Sequence, residues 1–166
     1  MTLIKTVTAV LVVLLAFTGH ALAGEDGDGS VRVSGELKAW HKVTLTIDGP
    51  WAKETDTEPN PFTDYRLSVR FKHQSGKAEY NVPGYFSADG NAGETSATQG
   101  NQWRVHFTPS ETGQWDYTVY FFKGKRIANG SMEETLHDQL KPETVVGHHE
   151  KGSFMIAGSD KTGRDL

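Results

Sequence analysis

The 166-residue chain contains no cysteine. That absence removes disulfides, thiol nucleophiles, zinc–thiolate sites and redox motifs in one step, so the fold must be held by packing or by a metal bound without thiolates. Apolar runs are scarce too. The only long one, Val7 to Phe17, falls short of the roughly 20 residues a membrane-spanning helix needs, and no later segment approaches that length. Nor is there a surplus of positive charge: 17 Lys and Arg stand against 21 Asp and Glu, a net charge of −4, which argues against a nucleic-acid partner. Phosphate loops, dinucleotide fingerprints, nucleophile elbows and HExxH spacing are all missing, so the sequence calls for no cofactor.

What is there begins with a leader. Lys5, the Val7–Phe17 run and Ala21-Leu22-Ala23 make the three-part pattern of a secretory signal, with cleavage expected after Ala23. The expectation is an exported protein, periplasmic, cell-surface or extracellular, with no membrane contact once residues 1–23 are removed. Removing Lys5 with them leaves 143 residues carrying 16 basic and 21 acidic side chains, net −5, a size suited to one domain around one core.

Residues 24–30, GEDGDGS, are Gly- and Asp-rich and read as a flexible lead-in. From Val31 the pattern changes to alternation of apolar and polar residues. VRV at 31–33, KVTLTID at 42–48, YRLSVRFKH at 65–73, QWRVHFT at 102–108 and WDYTVYFFK at 115–123 have the period of half-buried strands, with NVPGYF at 81–86 and SFMIA at 153–157 as shorter ones. Gly49–Asp64 and Ser87–Asn101 read as surface loops. Ser131 and Glu134 form a capping box for one short helix that Pro142 limits. Seven short strands favour an all-β, immunoglobulin-like antiparallel β-sandwich over 31–157, with 158–166 as the start of a linker.

Alternation sends Trp103, Val105 and Phe107 to one face, together with Trp115, Tyr117, Val119 and Phe121, and makes them core. Tyr120 and Phe122 then point outward as an apolar patch that something should cover, whether the 131–140 helix, a following domain or a flat sugar ring. Trp40, Trp51 and Tyr85, at strand ends or in loops, are the candidate sugar-stacking platforms. No carboxylate pair stands out as catalytic: Glu54, Asp56, Glu58, Asp64, Asp89 and Glu94 lie in or beside the loops, where solvation explains them. Histidines 41, 73, 106, 137, 148 and 149 lack metal-site spacing; His148-His149-Glu150 is the densest cluster, and in an extended chain its rings would point apart, so no metal site is assigned. Asn129-Gly130-Ser131 matches the glycosylation triplet.

WHKVTLTIDGPWA, NPFTDYRLSVRF, NVPGYFSADG, GNQWRVHFTPSETGQWDYTVYF and KGSFMIAGSDKTGRDL together resemble an immunoglobulin-like domain of unknown function, number five thousand and sixty in its naming series. The resemblance runs from about Val31 to Leu166. It implies a sandwich at the N-terminus of a bacterial secreted protein, ahead of a barrel described as a glycoside hydrolase. The partner it implies is therefore a downstream catalytic domain of the same polypeptide, with polysaccharide as the alternative partner if the domain is an autonomous carbohydrate-binding module. It supplies no catalytic or binding residues to carry over. Ser87–Asn101 is longer and richer in glycine than the family's turn, and the GSDKTGRDL segment, which in the family leads into the catalytic module, stands at the end of this sequence.

Overall fold

The computed structural model describes residues 24–130 and 142–163. The leader, the helix expected over 131–140 and His137 lie outside the described residues. Among the described residues there are nine strands: β1 Val31–Gly35, β2 Val43–Lys53, β3 Tyr65–His73, β4 Glu79–Pro83, β5 Tyr85–Phe86, β6 Gln99–Phe107, β7 Gly113–Lys123, β8 Glu143–Thr144 and β9 Lys151–Ile156. One four-residue helix, α1 (Ala92–Thr95), interrupts the loop before β6. The first sheet runs β1-β2-β6-β5. The second runs β4-β3-β7, and the far side of β7 is shared by β9 at Gly113–Thr118 and β8 at Phe122–Lys123. All these pairings are antiparallel, and the two sheets form an all-β, immunoglobulin-like sandwich.

The core follows from the period of two. On β2 and β6, Val43 pairs with Phe107, Leu45 with Val105 and Ile47 with Trp103; on β3 and β7, Leu67 pairs with Phe121, Val69 with Val119 and Phe71 with Tyr117. Every one of these side chains is buried, as alternation predicts. Each large apolar side chain contributes roughly 1.5–3 kcal/mol by its burial. Aromatic contacts join the sheets: Phe71 stacks on Phe107 with centroids 4.1 Å apart, and Trp103 meets Phe121 edge-on at 5.0 Å.

Four local departures from the sequence reading have physical causes. The expected loop from Gly49 does not start there, because β2 continues to Lys53 beyond a register shift between Asp48 and Ala52. The interrupted ladder is what admits Pro50 to a strand, and its carbonyl accepts the buried Trp103 indole N–H at 2.9 Å. The NVPGYF run is two strands in different sheets: the chain crosses at Gly84, where a Cβ would lie 2.4 Å from Leu67 Cδ2. The second expected loop likewise contains α1 and the start of β6 at Gln99.

The lead-in, finally, is tied down, because its backbone continues the β1 pairing along β2. Gly27 N–H donates to Gly49 O and Gly29 N–H to Asp48 O, each at 2.8 Å, and Asp26 accepts the Trp51 N–H at 2.8 Å. Polar residues that could not pack have found hydrogen-bond partners instead.

Candidate functional site

The two sheets close unequally. β5 pairs with β6 only at Arg104 and Trp103, so beyond Arg104 that edge of β6 has no neighbouring strand, and β4 is the edge of the opposite sheet. Between them the sandwich has a mouth. Four aromatic rings are more than a third exposed among the described residues: Trp40 at 41%, Phe62 at 55%, Tyr80 at 44% and Tyr85 at 45%. All four line depressions along this one side. A depression of about 520 Å3 lies between Trp40, Tyr80 and His106, and one of about 320 Å3 between Phe62 and Tyr85; Asn81 lines both. A third, of about 340 Å3, shares Tyr85 and Phe86 with the second and has Arg104, Glu54 and Glu94 in its wall.

Local bonding holds these rings in place. Tyr80 keeps one side on Trp115 and Phe107, with centroids 5.9 Å away in each case, because β4 pairs Tyr80 with the inward-facing Phe71. Tyr85 O–H lies 2.8 Å from His106 Nε2, whose Nδ1 lies 2.9 Å from Thr44 Oγ1. Burial, reinforced by Lys42 and Arg104, lowers the His106 pKa, so the ring is neutral near pH 7, with one nitrogen donating and the other accepting. Trp40 has φ of 65°, a left-handed conformation bulky residues rarely adopt, and its N–H donates to Pro109 O at 2.8 Å.

Of the platforms expected from sequence, Trp40 and Tyr85 meet on this side through His106, and Trp51 does not. Trp51 is half-buried on β2: a Cβ on Gly24 would lie 1.7 Å from its Nε1, and Lys53 Nζ lies 5.2 Å from its ring centroid. Tyr120 and Phe122 face outward as expected, and the chain itself supplies cover, in full for Phe122 and in part for Tyr120. The His148 ring lies 4.5 Å from that of Phe122, which is 6% exposed, and His149 lies 5.7 Å from Tyr120. Phe122 is therefore closed to a second domain or a sugar, while Tyr120 stays half-buried.

The histidine pair corrects a second expectation. The chain turns there, with His149 at φ 66°, and brings the rings to 4.1 Å instead of pointing them apart. Phe121 N–H donates to His148 Nδ1 at 3.0 Å, and burial together with His149 lowers the His148 pKa.

The loop carboxylates hold backbone together. Asp64 accepts Asn60 N–H and Arg126 N–H, each at 2.9 Å, bonds that lower its pKa. Asp56 accepts Lys53 N–H, and Asp89 accepts Thr95 Oγ1–H and Asn91 N–H.

Glu36, His41 and Asp160 bring three ligand-type atoms within 4.8 Å of one another, and the Lys38 ammonium pairs with both carboxylates, 2.5 Å from Asp160 and 3.5 Å from Glu36. His41 Nε2 lies 2.6 Å from Asp160, and these contacts, Lys38 first, hold the Asp160 carboxyl down to about 2. Backbone bonds reinforce the knot: Ala39 N–H donates to Ala157 O and Ala157 N–H to Leu37 O. The segment leaving β9 is thus strapped to the β1–β2 connection.

A two-sheet antiparallel sandwich with an aromatic mouth at one side and a strap at its C-terminal segment defines an immunoglobulin-like β-domain. Residues 36–122, just over half of the chain, match the family described as Domain of unknown function (DUF5060), and the chain belongs to that family. No curated protein matches it. It is similar to a solved structure described as "a putative glycoside hydrolase from Bacteroides vulgatus ATCC 8482", with 20% identity and a TM-score of 0.44 over 77% of this chain. The chain spans 17% of that protein.

Proposed function

We propose that the chain is a non-catalytic accessory domain of an exported carbohydrate-active enzyme, a glycoside hydrolase, and that it positions or stabilises a catalytic barrel downstream. The observation that carries this reading is the strap. Asp160, held by Lys38 and His41, fixes the direction in which the chain leaves the sandwich, as a domain that positions its successor requires. The resemblance of the sequence supports the same reading, as does the use of Asp56, Asp64 and Asp89 as backbone staples. A second reading, an autonomous carbohydrate-binding module, draws on the exposed rings of the mouth.

The test is the intact mass of the native secreted product, captured with an antibody against this domain. A product much larger than residues 24–166 is expected. A product ending at Leu166 would refute the accessory role and leave the autonomous module.

A further inference from the structure

The mouth has a chemistry of its own. Rings that could have been buried are held open in a row, from Trp40 and Tyr80 through Tyr85 to Phe62, with hydrogen-bonding groups between them. Each depression lies at the low end of, or inside, the range of about 300–1,000 Å3 that small-molecule sites occupy. Flat apolar faces alternating with hydroxyl, amide and guanidinium groups match a pyranose chain, whose C–H faces stack on rings while its hydroxyls both donate and accept.

Charge narrows the class. The walls carry Arg66 and Arg104 against Glu54, Glu79 and Glu94, with a neutral His106 between, so neither a polyanion nor a polycation is favoured. Arg104, the cross-strand neighbour of Tyr85, lines the third depression and is the guanidinium beside the Tyr85 ring.

We propose that the mouth between β4 and β6 binds a neutral polysaccharide, stacked on Trp40, Tyr80, Tyr85 and Phe62, with Arg104 donating to a sugar hydroxyl. The ligand class rests on reading the chain as part of a carbohydrate-active enzyme; the place and residues rest on the groove. The groove gives the domain a second task, holding the glycan beside whatever acts on it.

The test is affinity electrophoresis of the native secreted protein in gels containing galactomannan, xyloglucan, mixed-linkage β-glucan or, as the anionic comparison, alginate. Retardation by at least one neutral glycan and none by alginate is expected. Phe62→Ala and Tyr85→Ala should each weaken it about three- to tenfold, because each removes one stacking ring. Met155→Ala, at an exposed apolar residue on β9 outside the groove, should retain it in full.

Retention unchanged by both alanine variants, or no retention on any neutral glycan, overturns the proposal. The native product's mass separately decides the accessory reading. A long product that binds nothing sinks the groove alone, and a product ending at Leu166 that binds sinks the accessory role alone.

Discussion

Gly84 is the point where the chain changes sheets, and replacing it by alanine tests whether the crossover depends on close packing. Its φ lies outside the left-handed region, so alanine meets no backbone penalty and the effect is one of volume. The added Cβ would sit 2.4 Å from Leu67 Cδ2, 2.5 Å from Leu67 Cγ and 2.8 Å from Val105 Cγ2. Both neighbours are buried in the core. Overpacking of this kind costs about 1–3 kcal/mol.

With a urea slope of about 2 kcal/mol/M, a 2 kcal/mol loss lowers the midpoint of unfolding by about 1 M with no change in slope. Leu67→Ala alone leaves a cavity and costs about 2–5 kcal/mol. It also removes two of the three atoms the new methyl strikes, so the double variant should be more stable than the sum of the singles by about 1 kcal/mol or more. Val105 remains, which limits the rescue. The assay is equilibrium urea unfolding of all four proteins, followed by tryptophan fluorescence. Additive singles, or a Gly84→Ala midpoint within about 0.2 M of the parent, would refute the packing argument.

Two further outcomes follow from the titrating groups. Burial lowers the His148 pKa below 6.5, so as pH falls below 6.5 the unfolded chain takes up a proton that the folded one resists. Stability is therefore full above about pH 6.5 and declines as pH falls toward the lowered folded value. His148→Gln should flatten the part of the thermal-melting profile between pH 7.5 and 5 that this residue contributes; an unchanged profile would exclude it. Asp160, held near 2 against an ordinary 3.8, should keep the strap closed at neutral pH and release it as pH falls from about 4 through 2. Protection of the Ala39 and Ala157 amides, relative to their intrinsic exchange rates, should fall over that window and fall at pH 7 in Asp160→Asn; protection that Asp160→Asn leaves intact would mean the backbone bonds alone hold the segment.

The inward faces of Val43–Ile47, β3, Trp103–Phe107 and Trp115–Phe121 were legible, because apolar and polar residues alternate along these stretches and one register error would have turned Trp103 and Trp115 to solvent. The crossover at Gly84 was not, since NVPGYF alternates through it and sheet membership is a long-range property. Pro50 looked like a strand breaker because the register shift that accommodates it depends on β6 and on Trp103.

Of the mouth, Trp40 and Tyr85 were visible as aromatics at strand ends. Phe62 and Tyr80 were not singled out, although the two prolines just before Phe62 and the Glu-Tyr-Asn stretch around Tyr80 carried a weak signal. Their exposure depends on β5 being two residues long, which leaves the β6 edge open. The outward position of Phe122 and its need for cover were read from β7; that His148 supplies the cover was not, because it depends on a turn at His149 that puts a non-glycine residue at positive φ.

The strap also decides how the domain bears load. Tension entering from the segment after β9 reaches Ala157 and Asp160 first. There it divides: β9 belongs to the β7 sheet, while Leu37, Lys38 and Ala39 lead into β2 of the other. A pull is thus set against both layers at once, as shear across the core, instead of peeling β9 from β7 one hydrogen bond at a time. A tether fastened this way loads two sheets where an unstrapped one would load a single edge strand.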